Sequence, residues 1–230
     1  MPLIEIDKIT DVLNHIVGLS AVVFDLDDTL YSEKEYVRSG YKAVSKVLSL
    51  VTDAEEKLWR AFEAKLPAID TVLRDEGVFS EELKERCLSV YRNHEPDIHL
   101  YLGVEDMLKE IRRRNIDIGI ITDGRPEGQQ KKIAALGLEP LVDEIIITDE
   151  LGGPDFRKPN GRAFCLMRDL LGISGYDVMC YVGDNVSKDF VAPEEFGMRC
   201  IWFMNSDGVY FIEKKDEGKT CSSICKKSCR

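Results

Sequence analysis

The sequence predicts an α/β protein built on a parallel sheet, with a helical unit inserted after its first strand. Three observations carry this expectation. Five apolar segments rich in β-branched residues, SAVVFDL (20–26), IDIGIIT (116–122), DEIIIT (143–148), DVMCYVG (177–183) and RCIWFM (199–204), lack strict polar alternation, as strands covered on both faces do. From about residue 103 onward these strands alternate with helical patterns, which is the rhythm of a parallel α/β sheet. Between the first and second strands, residues 33 to 101 show helical stripes and no strand pattern.

Taken in order, the opening MPLIEIDKITDVLNHIVGLS carries Glu5, Asp7 and Asp11 among its apolar residues, whereas a signal peptide has a basic start and an unbroken apolar stretch. A cytoplasmic location is expected. After the first strand, the stripes Val37, Tyr41, Val44, Leu48, then Leu58, Phe62, Leu66, then Leu83, Cys87, Tyr91 define the inserted helices. The stretch NHEPDIHLYLG, with Pro96 and Gly103, returns the chain to the core. The next helix aligns Val104, Met107, Leu108 and Ile111 on one face. Pro126 opens and Gly137 closes the helix PEGQQKKIAALG, and Pro159 and Gly172 bracket PNGRAFCLMRDLLG in the same way. The expected division is a core of residues 1–31 and 103–220, an insert of 32–102 and a tail of 221–230.

Composition fits one core with a large insertion: 230 residues, 44% hydrophobic and 32% charged, enough apolar matter to bury a core and too much for disorder. The formal charge of −11 repels polyanions, so nucleic-acid binding is not expected. No apolar run reaches the roughly 18 residues a membrane span needs, and no membrane partner is expected. Of the seven cysteines, Cys87, Cys165, Cys180 and Cys200 read as buried free thiols. Cys221, Cys225 and Cys229 recur at spacings of four in the tail without a nearby histidine to complete a zinc site, and read as reactive thiols.

The chemistry concentrates at strand ends. The first strand runs into FDLDDTLY, where alternation sends Asp25 and Asp27 the same way, a costly arrangement without a cation between them. Thr122 ends the second strand and Gly124 permits close backbone approach. Lys158 precedes Pro159 at an expected helix start, a natural anion site, so its replacement by Ala is expected to spare the fold. The fourth strand runs into YVGDNVSKD, supplying Asp184 and Asp189. Arg125 and Glu127 follow Thr122 and either face substrate or neutralise the acidic rim. Arg112, Arg113 and Arg114 read as a solvated helix end, His94 and His99 as packing or surface residues, and Trp59 and Trp202 as core.

DLDDT, the Thr of IITDG, the Lys of RKP and GDNVSKD, in that order over about residues 20 to 205, resemble the four motifs of the haloacid dehalogenase-like superfamily. The resemblance implies a Rossmann-like core whose first strand is central between the second and fourth, and makes the insert a mobile α-helical cap. It implies that Asp25 is a nucleophile forming an aspartyl phosphate and Asp27 the general acid and later base. Thr122, Asp123 and Lys158 would hold phosphoryl oxygens, and Lys158 would also hold the nucleophile. Mg²⁺ would sit on Asp25, the Asp27 carbonyl and Asp184, supported by Asp189. Asp27 argues against carbon–halogen cleavage, because a leaving halide needs no proton. The implied function is a magnesium-dependent phosphatase for a small soluble phosphomonoester, phosphosugar or nucleotide-like. A phosphomutase or phosphotransferase, or a non-catalytic module keeping the fold, stands as the alternative, and oligomeric state is open.

Overall fold

The computed structural model describes residues 2–211. The three tail cysteines and the expected end of the core at 220 lie outside the described residues.

One sheet of six parallel strands runs in the order β1 (Ile4–Ile6), β6 (Arg199–Phe203), β5 (Met179–Gly183), β2 (Ala21–Phe24), β3 (Asp117–Thr122), β4 (Glu144–Ile147). The first predicted strand, β2, is thus central, flanked by the second and fourth, with Phe24 in register with Ile120 of β3 and Val182 of β5. β1 is an addition to the five expected strands. It is three residues long with Glu5 in its middle, and it pairs on one side only, Ile4 to Ile201 and Ile6 to Phe203. So short an edge strand leaves no periodic signal.

The missing alternation has a direct cause. Val22 and Phe24 pack on one face with Met107, Leu108 and Ile111 of α5 (Val104–Arg113) and Ile133 of α6 (Pro126–Ala135). Ala21 and Val23 pack on the other with Phe164 and Met167 of α7 (Arg162–Leu170) and Ala192 of α8 (Val191–Phe196). Helices on both faces leave both rows of strand side chains dry.

The insert consists of α1 (Glu33–Val47), α2 (Ala54–Glu63), α3 (Ala68–Asp75) and α4 (Glu81–Asn93). Val37, Tyr41, Val44, Leu58, Val72, Leu73 and Cys87 make an apolar cluster of its own. Ser80 caps α4, accepting from the Leu83 N–H at 3.1 Å. Gly40 lets α4 come close to α1, since a Cβ there would lie 2.5 Å from the Tyr91 ring. Two expectations are corrected. Leu66 is not on the α2 stripe: the chain turns left-handed at Lys65 (φ 57°) and Leu66 is exposed. The eight residues of α3, after Pro67, were not anticipated. The insert leaves and rejoins the core side by side, through a Tyr31–Leu100 antiparallel bridge and a Tyr101 N–H to Leu30 carbonyl bond of 2.9 Å.

Cys87, Cys180 and Cys200 are buried free thiols, while Cys165 is half-buried. No helix among the described residues is long and apolar enough to cross a membrane.

Candidate active site

The carboxyl ends of β2, β3 and β5 and the loop before α7 converge on one buried cation. Asp25 follows β2, its N–H donating to the Val182 carbonyl at 2.8 Å, so the sheet continues one bond past the strand and fixes the backbone. Lys158 Nζ donates to Asp25 Oδ1 at 2.6 Å and to the Tyr181 hydroxyl at 2.8 Å. It also forms a buried ion pair with Asp189 Oδ1 at 2.8 Å. Asp189 Oδ2 accepts from the Asn185 N–H at 2.9 Å. Gly183 makes room for it, since a Cβ there would stand 2.5 Å from Oδ2. Asp184 is half-buried, its carbonyl held by the Trp202 indole N–H at 2.8 Å.

The expected start of α7 at Pro159 is corrected: the helix begins at Arg162, and Lys158 belongs to the preceding loop. It is an interior side chain between two carboxylates rather than a helix-end cation facing an open pocket. Its replacement is therefore expected to cost stability as well as activity.

One oxygen from each of Asp25, Asp184 and Asp189 lies within 4.8 Å of the others. Burial pushes the Asp25 carboxyl up to about 6, with Lys158 opposing the rise and Asp189 adding to it. Burial, then the charges of Asp25 and Asp189, push Asp184 up to about 9. Lys158, with Lys188 acting from beside Asp123, does not neutralise these clustered acids. A donor set of clustered carboxylate oxygens fits a hard divalent cation such as Mg²⁺.

Asp27 has partners of its own, apart from those of Asp25. β2 stops at Phe24, and the chain enters a left-handed turn at Asp28 (φ 54°), so strand alternation no longer applies. Asp27 Oδ1 accepts from Lys132 Nζ at 2.6 Å and from the Tyr31 hydroxyl, and Oδ2 accepts from Gln129 Nε2 at 2.9 Å. Burial pushes this carboxyl up, but the Lys132 charge and hydrogen bond, with the Tyr31 and Gln129 donors, outweigh it and hold the group below its ordinary value. Lys132 and Gln129 lie one turn apart on α6, are both buried, and were missed in the sequence. Asp28 has the helix-capping role: it accepts from the Glu33 N–H at 2.9 Å at the start of α1 and from the Val209 N–H at 2.7 Å.

Thr122 ends β3 fully buried, its hydroxyl accepting from Gln129 Nε2. The Asp123 carboxylate accepts from the Thr148 hydroxyl at 2.9 Å and the Lys158 N–H at 3.0 Å and pairs with Lys188 at 3.2 Å. It is therefore a brace for the Lys158 loop. Lys188, in the SKD of the fourth motif, is a second cation that the sequence reading passed over. Further out, Arg112 pairs with Asp143, and Arg113 and Arg114 with Glu110. His94 is buried, with Nδ1 2.7 Å from the Tyr91 carbonyl, and His99 lies exposed beside Glu35. Trp202 packs in the core, whereas Trp59 is half-buried under the Arg38 guanidinium at 4.2 Å.

Comparison with known proteins bears on this arrangement. The chain is 25% identical over 198 residues to a glyceraldehyde 3-phosphate phosphatase of Methanocaldococcus jannaschii, covering 78% of this chain and 82% of that one. It is 28% identical over 130 residues to a phosphoserine phosphatase of Thermus thermophilus, covering 56% and 50%. A solved dehalogenase with an intermediate complex superposes with a TM-score of 0.56 at 20% identity, covering 90% and 96%, a likeness of fold. The model of the haloacid dehalogenase-like hydrolases matches residues 19–197, from the residues before β2 through α8. The stretch that carries every side chain of the buried cluster is thus the stretch the match covers, and the chain belongs to the haloacid dehalogenase-like hydrolase family.

Proposed function

We propose that this hydrolase is a magnesium-dependent phosphatase that cleaves a small phosphomonoester through an aspartyl phosphate on Asp25. The observation that carries the reading is the buried Lys158–Asp25 contact of 2.6 Å beside three clustered carboxylates. Lys158 aims one Asp25 oxygen, leaving the other free to attack phosphorus. The phosphorus–oxygen bond to the leaving group then breaks, and Asp27 gives that alkoxide a proton. In the second step Asp27 takes a proton from water, whose oxygen attacks phosphorus and returns Asp25 as a carboxylate.

The clamp of Lys132, Tyr31 and Gln129 stabilises the ionised Asp27 that the second step needs. Proton delivery in the first step requires that clamp to loosen when substrate enters. Bound Mg²⁺, held by Asp25, the Asp27 carbonyl and Asp184 with Asp189 behind them, would neutralise charge as the phosphoryl anion approaches. The Thr122 hydroxyl and the Asp123 N–H, with Lys158, hold phosphoryl oxygens. The insert of residues 32–102 acts as a cap that restricts the site to small molecules, and the relatives named for glyceraldehyde 3-phosphate and phosphoserine support that size class. Asp27 would be superfluous to a dehalogenase.

The test separates the two acids. With an activated aryl phosphate and a rapid acid quench, intact mass should show a hydroxylamine-labile phosphoryl adduct on Asp27→Asn and none on Asp25→Asn. An adduct on the Asp25→Asn protein would remove Asp25 as nucleophile.

A further inference from the structure

A cavity of about 190 Å³ lies where the insert meets α6, walled by Tyr36, Tyr91 and Arg92 from the insert and by Arg125, Glu127 and Gln129 from the start of α6. Gln129 lines this space, and its Nε2 donates to Thr122 Oγ1 and to Asp27 Oδ2, so one residue touches both the cavity and the reaction site. A ligand with its phosphate at Thr122 and Lys158 would thus extend its leaving group past Asp27 into this cavity.

Charge decides what that leaving group carries. Arg112, Arg113, Arg114, Arg157 and Arg168 each pair with a carboxylate. Arg92 and Arg125, both exposed, form no ion pair among the described residues, and neither do Arg74, Arg86, Arg162 and Arg199; what sets the two apart is that they share one wall. Glu127 is the single acid on the wall, which leaves the cavity with an excess of positive charge. The Tyr36 and Tyr91 rings, edge to face at 6.0 Å, offer apolar surface on the same wall.

We propose that this cavity receives a carboxylate on the leaving group, so that the substrate is a short phosphorylated hydroxy acid, with Arg92 and Arg125 as specificity residues. The proposal rests on the phosphatase reading above. A space of about 190 Å³ suits a short acid of a few carbons rather than a large leaving group. Planar guanidiniums meet a carboxylate with paired hydrogen bonds, which gives orientation as well as attraction.

The full chain with Mg²⁺ is assayed on 3-phosphoglycerate and glyceraldehyde 3-phosphate, which share three carbons and differ in a carboxylate against an aldehyde. The acid should be preferred in kcat/KM by about ten- to a hundredfold, the scale of charge-assisted hydrogen bonds. In the double variant Arg92→Gln, Arg125→Gln the ratio should fall toward one, mainly through a higher KM for the acid. Because a ratio is read, general loss of activity cancels. Equal kcat/KM for the two compounds, an unchanged ratio in the double variant, or a preference for 1,3-propanediol bisphosphate over the acid would each overturn the inference. 4-Nitrophenyl phosphate separates the failures: its turnover without an acid preference removes this inference alone, and the absence of any turnover removes the phosphatase reading with it.

Discussion

Stripped of divalent cations by EDTA, the protein should lose stability as pH rises from about 5 to about 8, the reverse of ordinary acid denaturation. The cause is the cluster at the carboxyl end of β2 and β5. Asp25 has its carboxyl raised from 3.8 to about 6. An acid whose folded value lies above its unfolded one favours folding while protonated; the benefit is complete below pH 3.8 and gone once pH passes about 6. A rise of about two units corresponds to about 3 kcal/mol over the whole range, about half of it above pH 5. Asp184, raised to about 9, acts in the same direction and extends the window upward. For a chain of this size the Asp25 share alone lowers Tm by about 3–6 °C between pH 5 and 8. Thermal unfolding followed by circular dichroism, in EDTA and in millimolar Mg²⁺, reads this directly. Mg²⁺ should restore Tm at pH 8 and do little at pH 5, where protons compete for the same oxygens. Asp25→Asn should remove its share of the slope. A Tm in EDTA that is flat or rising over this range, or an equal gain from Mg²⁺ at both pH values, would refute the electrostatic argument.

Lys158→Met leaves Asp25 and Asp189 buried without their cation, so urea unfolding should show a loss of about 3–5 kcal/mol, and turnover should fall by more than about a hundredfold. Wild-type stability in that variant would show that the ion pairs do not hold the loop. Gly183→Ala places a methyl 2.5 Å from Asp189 Oδ2 and must displace that carboxylate. Stability should drop by about 1–3 kcal/mol and the Mg²⁺ concentration for half-maximal activity should rise, whereas an unchanged requirement counts against Asp189 as a supporting residue. Lys132→Met leaves Asp27 with Tyr31 and Gln129 only, so burial dominates and its carboxyl rises. The stability lost should then be larger at pH 8 than at pH 5, and an equal loss at both would mean that Asp27 is not held ionised by Lys132.

The strands and the central place of β2 were legible because residues buried on both faces must be apolar throughout. The acids and Lys158 were legible because each directly follows a strand or its loop, so sequence order translates into a common edge. The Asp27 clamp was not legible. In Gln129-Gln130-Lys131-Lys132, four polar residues run together, and the two that turn inward do so because an acid from roughly a hundred positions upstream meets them. Nothing local distinguishes Lys132, which is buried, from Lys131, which reaches Glu95 and the Asn93 carbonyl at the surface.

The adjacency of Tyr31 and Leu100 has an implication for how such a protein can be altered. Because the two chain crossings are bridged to each other, closing the gap between them requires only a short turn, at small entropic expense. The segment between them brings its own interior, with Val44, Leu58, Leu73 and Cys87 packed among themselves. It also carries Tyr36, Tyr91 and Arg92, while Asp25, Lys158, Asp184 and Asp189 all stay behind on the sheet. Exchanging the segment is therefore expected to change the chemical company a substrate keeps while these four side chains stay on the sheet.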